Sequence, residues 1–368
     1  VDGTLRGDLD LVIPLSDDPV SVELALDITS GELYMPEQAL RFKGIEGPLQ
    51  ISTRTGLTSK GLNVEWLDQP LIVGLQTDTS TADWRLHFPA QGVVNLAALG
   101  QWLEDPWLMN QPYTVWFTGD LSTHAGDLDL SIKSDLVGLP IDFPPPLGKP
   151  IGAPRPFNLA LTLTEQRQAI KGYLGDQLTF NLNTTDDLIE GVVNLAQPTA
   201  GIAHLPQILP VIEPGLFTVN IDLPEIDASV WWAQWRELQA LYLPSITEAE
   251  TLTDRASVLR DQIPINVVSV RAGRLHWEDV NLQNLKLHGE RTGNGWHLGM
   301  ESVELAGDLS LPVADEDFGE LTLDYARFDV GSALPRAEVI PVESTEPSRR
   351  TRPPYEYLAT EDALAGIA

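Results

Sequence analysis

The chain has 368 residues with 23 Lys and Arg against 53 Asp and Glu, a formal charge of −30 at pH 7. That balance excludes non-specific nucleic-acid binding, which needs cationic side chains to neutralise phosphates. A hydrophobic fraction of 43% with 21% charged residues belongs to a folded chain, and the lack of any Cys removes disulfide frameworks, thiolate metal sites and cysteine nucleophiles.

The chain opens Val1-Asp2-Gly3 with neither Met nor a basic-apolar leader, as expected of a mature product or a piece of something longer. It has no apolar run of the ~18–20 residues that cross a bilayer, so any membrane anchor is expected outside it. Period-2 alternation then dominates. Leu9, Leu11 and Ile13 alternate with polar neighbours, and Val20, Val22, Leu24, Leu26 and Ile28 follow after the turn residues Ser16-Asp17-Asp18-Pro19. The pattern recurs at Leu62-Val64-Trp66, Val115-Phe117, Leu128-Leu130-Ile132, Leu159-Leu161-Leu163 and Leu178-Phe180-Leu182. It returns at Leu285-Leu287, Trp296-Leu298-Met300, Val303-Leu305, Leu309-Leu311 and Leu321-Leu323-Tyr325. Alternation gives each strand one apolar and one polar face, which predicts half-wetted antiparallel strands in meander order. Gly126-Asp127, the 184–187 run and the 292–295 run are hairpin punctuation.

Two segments break the alternation. Val93–Leu103 reads as a short helix, and Ala228–Leu243 as a longer one with Asp227 as N-cap and Trp231, Trp235, Leu238 and Tyr242 on one face. A polar stretch from Thr247 to Asp261 reads as helical, while Pro144-Pro145-Pro146 and the run from Leu205 to Pro214 read as extended connectors. From Gly331 onward alternation gives way to Pro, Glu and an Arg cluster, the composition of a mobile tail. The organisation expected is a β section over 1–150 with helix 93–103, a continuing section over 151–330 with helix 228–243, and a tail over 331–368.

Catalytic signatures are missing: no nucleophile elbow, phosphate loop, dinucleotide fingerprint or His-Glu-x-x-His occurs. His276, His288 and His297 are the histidines to weigh as metal ligands, but solvent-face histidines are the simpler reading, and neither metal nor cofactor is expected. The acidic Asp315-Glu316-Asp317 run lacks the calcium-loop pattern and reads as a solvated hairpin tip. What remains is the apolar face. It admits a closed β-sandwich core, which with some of the 10 Trp residues, such as Trp84 and Trp116, as stacking platforms would suit a carbohydrate-binding module. It also admits a long twisted antiparallel sheet curled into an open apolar groove for acyl chains, with a few short helices. The inward positions of such a groove are Leu11, Ile13, Val22, Leu24, Leu26, Val64, Val115, Phe117, Leu128, Leu130, Ile132, Leu159, Leu161, Leu163, Leu178, Phe180, Leu182, Leu285, Leu287, Leu298, Met300, Leu321 and Leu323. The Trp231/Trp235 helix then either plugs the groove or meets a membrane interface.

The run Ser134-Asp135-Leu136-Val137-Gly138-Leu139-Pro140-Ile141-Asp142-Phe143-Pro144-Pro145-Pro146-Leu147-Gly148-Lys149-Pro150 resembles a signature of the YhdP type of AsmA-like envelope proteins, Ser-Asp-Leu-x-Gly-Leu … Asp-(Leu/Phe)-Pro-x-Pro-Leu-Gly-Lys. Trp102-Leu103 with Trp116 and Leu121, and the entry Leu223-Pro224-Glu225-Ile226-Asp227 … Trp231, are also similar, so the resemblance covers roughly residues 1–330. It implies a periplasmic bridge anchored in the inner membrane of a Gram-negative bacterium. It further implies phospholipid as the partner, carried toward the outer membrane for its biogenesis, and no catalytic residues. About fifteen strands at ~4.8 Å spacing would span roughly 70 Å, one section of such a conduit.

Overall fold

The computed structural model describes residues 2–13, 15, 20–36, 40–79, 84–124, 127–185, 188–197, 209–242, 265–293, 295–312 and 319–327. They belong to one compact unit, Val1–Arg327. The expected turns at 16–19 and 315–317, the helix at 247–261, His204 and the tail from 331 lie outside the described residues, as does Leu243.

The alternating segments are strands of one sheet. β1 (Asp2–Val12), β2 (Ser21–Met35), β3 (Leu40–Ser52), β4 (Gly56–Trp66), β5 (Gln69–Asp78) and β6 (Arg85–Asn95) precede two short helices, α1 (Leu96–Leu103) and α2 (Pro106–Met109). β7 (Thr114–His124), β8 (Asp127–Ser134), β9 (Phe157–Leu163), β10 (Gln168–Leu174), β11 (Leu178–Thr184), β12 (Ile189–Ala196) and β13 (Phe217–Asp227) lead into α3 (Ala228–Tyr242). β14 (Val267–Trp277), β15 (Val280–Thr292), β16 (Gly295–Glu301), β17 (Leu305–Pro312) and β18 (Glu320–Ala326) complete it. Each strand pairs with its neighbours in the chain, and β1 and β18 do not meet, so the sheet does not close into a barrel. Among the described residues there is no second sheet, which overturns the closed-sandwich reading.

Several expectations need correction. Eighteen strands replace the fifteen, and the sheet is antiparallel except at β12–β13 and β13–β14, which run parallel. Parallel strands read as unbroken apolar runs when both faces are covered; β13 and β14 keep their alternation because one of their faces stays wet. Residues 93–95 belong to β6, since Asn95 takes extended backbone and its Oδ1 accepts from Ala98 N at 3.0 Å, making it the N-cap of α1. Val303 lies in the β16–β17 turn, its N–H bonded to Gln283 O. Pro144-Pro145-Pro146 forms a turn closed by Leu147 N to Pro144 O at 3.0 Å. The two-residue β4–β5 turn holds Leu67 and Asp68 both at positive φ, the backbone that matches strand twist in tight hairpins.

The connections sort the two ends of the strands. One end, here the upper rim, carries α1 and α2 between β6 and β7, the long 135–156 connection between β8 and β9, and α3 after β13. At the opposite, lower rim the described links are short, as at 53–55 and 164–167. Charges gather on one face. Asp222, Arg271, Lys286 and Glu301 are successive cross-strand partners there, with Lys286 Nζ 3.2 Å from Glu301; such exposed pairs are worth little individually. Among the described residues no large side chain is fully buried. Apolar side chains instead collect in three clusters on the other face, one of them drawing Ile28 of β2, Leu62 and Val64 of β4, Leu71 of β5 and Phe117 of β7 together. The sheet is curled, with its apolar face inside.

Glycines on the apolar face relieve the crowding that curvature brings. Gly172 pairs with Phe180, whose ring lies over it, and Gly289 pairs with Leu298, whose methyl would be 2.4 Å from an added Cβ. A Cβ at Gly172 would stand 2.9 Å from Phe180 and 2.2 Å from Asn158 O. Gly172→Val is expected to lower stability by about 1–3 kcal/mol, whereas Gly152→Val, with open space around it, should leave the urea midpoint within error of the parent.

Candidate functional site

The strand registers assemble the alternating positions into rows that cross the sheet. One row runs Val73, Ala90, Gly119, Ile132, Leu159, Gly172, Phe180, Val193, Val219, Val268, Gly289, Leu298, Leu309 and Leu321, each the cross-strand partner of the next. The next row toward the upper rim runs Phe157, Leu174, Leu178, Leu195, Ile221, Val270, Leu287, Met300, Gly307 and Leu323. On the lower-rim side lie Leu121, Leu130, Leu161, Ile170, Leu182, Gly191 and Phe217. Leu9 with Leu24 and Ile51, and Leu11 with Val22, extend the apolar face to β1. None of these positions carries a charge. Most are half-buried, because among the described residues only the upper-rim cap lies over any of them.

The structure puts the positions anticipated from alternation, from Leu11 and Val22 to Leu321 and Leu323, on this one face; Ile13 follows the end of β1. Phe157, Ile170, Leu174, Val193, Val219, Val268 and Val270 belong to the same rows and were missed. Their signal is the same alternation, shortened by a glycine in β10 and β12 and hidden by the parallel crossovers in β13 and β14. The three histidines weighed and set aside as metal ligands have other partners. His276 bonds Glu225 at 3.0 Å, His288 bonds Glu290 at 3.0 Å, and His297 bonds Ser310 at 3.0 Å, each separately on the polar face. No group able to hold a metal ion occurs among the described residues.

At the upper rim the groove is capped. Leu96 of α1 with Leu136, Leu139 and Ile141 of the 135–156 connection pack against Val94, Val115, Phe117, Phe157 and Leu174. Leu147, from the far end of the same connection, reaches the cluster of Leu195, Leu223, Ile226, Ala272 and Leu285. This connection carries the 134–150 signature, and its chemistry explains the residues. Leu136 and Gly138 take positive φ, with Val137 N bonded to Asp135 Oδ1 at 3.0 Å. Lys149 is only 6% exposed, and its ammonium donates to the carbonyls of Leu139, Pro150 (3.3 Å) and Ala153 (2.9 Å). Arg155 donates to Leu147 O and to Gly148 O at 3.1 Å. Burial holds both cations below their usual pKa ranges, and for Lys149 the nearby Arg155 adds to this.

α3 completes the cap. Asp227 Oδ1 accepts from Ser229 N and Val230 N, both at 3.1 Å, as expected of the N-cap. Trp231 packs on the groove cluster, while Trp232 and Trp235 point outward at 52% and 40% exposure, so the expected face is split. Tyr242 Oη donates to Asp105 at 3.1 Å, the residue whose Oδ1 also caps α2 through Leu108 N at 2.7 Å. No helix among the described residues is long and apolar enough to cross a membrane.

The family model described as YhdP protein matches residues 1–360. The chain is 22% identical over 320 residues to the intermembrane phospholipid transporter YhdP of Escherichia coli (strain K12), an alignment that covers 84% of this chain and 23% of that relative. The chain thus spans about a quarter of the length of the curated relative it matches. No solved structure matches it. The chain belongs to the YhdP protein family.

Because three carbonyls converge on Lys149 Nζ, Lys149→Met should leave them without a donor and destabilise the cap by about 1–3 kcal/mol. The expected readout is earlier proteolytic cleavage within 135–156, with strand circular dichroism retained.

Proposed function

We propose that this YhdP-family chain is a section of a conduit that holds phospholipid acyl chains on its apolar face and passes them along the sheet between the inner and outer membranes of a Gram-negative bacterium. In this reading the section stands in the periplasm, is anchored to the inner membrane through parts of the protein outside it, and performs no catalysis. The observation that carries the reading is the set of charge-free rows crossing strand after strand with no covering layer among the described residues. The name of the E. coli relative, a phospholipid transporter, supports the choice of cargo.

The physics is sufficient. Burying one CH₂ gains about 0.8 kcal/mol, so a strip of Leu, Val, Ile and Phe holds an acyl chain without any polar anchor. Eighteen strands at ~4.8 Å spacing extend about 80 Å along the sheet, enough for several lipids in file but a fraction of a whole bridge. Smooth aliphatic walls offer no strong fixed point, which favours sliding.

Native mass spectrometry of the gently purified chain is expected to show phospholipid-sized adducts; a lipid-free mass with no uptake from vesicles overturns the proposal. Replacing Leu24, Leu130, Leu161 or Phe180 by Asp should preserve the strand circular dichroism spectrum while cutting lipid loading several-fold, because a wall open to water tolerates a carboxylate that a sealed core would not. Unfolding by all four substitutions would contradict an open wall.

A further inference from the structure

Over β7 to β11 the inner face carries more polar side chains at the lower rim than at the upper. Along the lower rim a cross-strand row links Thr123 to Leu128, Leu128 to Leu163, Leu163 to Gln168, and Gln168 to Thr184. Here, on the inner face, every second position or so ends in a hydroxyl or an amide. Further along the same rim Arg291 pairs with Trp296 on the inner face. Moving up the strands, polar side chains become rarer. From β9 to β13 the row of Phe157, Leu174, Leu178, Leu195 and Ile221 is apolar; its β8 member, Ser134, turns its hydroxyl to Trp116 O at 2.7 Å, and the row ends under the cap of α1, the 135–156 connection and α3.

We infer, resting on the conduit reading above, that glycerophospholipids lie across the sheet, parallel to the strands. Their headgroups sit at the lower rim beside Thr123, Gln168 and Thr184, and their acyl ends lie under the upper-rim cap. Polarity and depth both select this orientation. From Leu163 to Phe157 the strand descends six residues, about 20 Å at ~3.3 Å per residue. One leaflet of a ~30 Å hydrocarbon core is about 15 Å deep, so one acyl layer fits between the polar row and the cap. At the upper rim a headgroup would meet the Leu136, Leu139 and Ile141 cluster and lose its hydration without a hydrogen-bonding partner. The ammonium of Lys149, the cation nearest that cluster, is already bonded to three carbonyls. At the lower rim the described links beside this row, as at 164–167, are short, and a phosphate there would stay in water.

Photolabelling of the whole 368-residue chain, loaded with two diazirine probes, tests the orientation. One probe is a phosphatidylcholine with the diazirine at the acyl terminus, and the other is a phospholipid with it on the headgroup. Fragment-ion mapping should find the tail probe several-fold enriched at Phe157, Leu174 and Leu178, and the headgroup probe enriched at Thr123, Gln168 and Thr184. Equal labelling of both rims by both probes would mean that acyl chains run along the sheet instead, and an inverted pattern would mean the opposite orientation; either result overturns the inference while leaving the conduit reading intact. Loss of any lipid mass in native spectra overturns both.

Discussion

The architecture follows from a sheet with an apolar face that, among the described residues, has no second layer to bury it. Ordinary β domains solve that problem by packing another sheet or a set of helices on the face. Here the described residues provide only a cap along one rim, so the face limits its contact with water by curling until its own side chains touch. Phe117 reaches the cluster built on β4 and β5, strands two and three places away. Glycines at Gly172 and Gly289 make room for Phe180 and Leu298 on the inner surface. The result is close contact without full burial, which is why no large side chain among the described residues is sealed from solvent.

The same constraint dictates where charge goes. An ion in the middle of a hydrocarbon-lined face would weaken its affinity for hydrocarbon, and acidic residues such as Asp129 and Asp222 stand on the other face, while Arg291 on the inner face lies at the lower rim. Basic residues there sit opposite acids, as Arg271 does across from Asp222 and Lys286 across from Glu301. With a chain charge of −30, the outer surface repels anionic bilayer surfaces. In the proposed conduit that would lead cargo along the inner face and keep the wall off anionic bilayers. Trp232 and Trp235 are the exposed aromatic exception on the cap.

The two rims show how connection length turns a symmetric sheet into a polar object. Antiparallel strands need only short turns, and the lower rim uses them. The upper rim spends its long connections on covering apolar surface, and the 135–156 segment does so with no helix or strand of its own beyond a single bridge between Ile141 and Lys149. Its backbone carbonyls would be left bare by such a path, and two cations, Lys149 and Arg155, supply the missing donors. A leucine, a glycine and a lysine in succession at 147–149 are therefore three parts of one device: Leu147 as the apolar foot on the sheet, Gly148 where a side chain would strike Phe143 O at 2.2 Å, and Lys149 as the internal clasp.

The sequence by itself determined which residues form strands and which side of each strand is apolar, because alternation is a property of consecutive residues and needs no partner. That was enough to place Leu130, Leu161, Phe180 and Leu298 on one face, and the 134–150 run was enough to point to the family. It did not reveal the parallel steps around β13, since strand direction depends on where a crossover returns and not on the strand's own residues. The start of α1 lies three residues later than alternation suggests, because Val93 and Val94 suit a strand and a helix face alike, and only the Asn95 cap decides between them. Trp231 and Trp235 look equivalent on a helical wheel, yet one packs on the sheet and the other faces out, a choice made by how α3 sits on β13 and β14. Whether the apolar face would be covered or open was likewise a tertiary matter: alternation records that a face is apolar, and only the path of the rest of the chain decides what, if anything, lies over it.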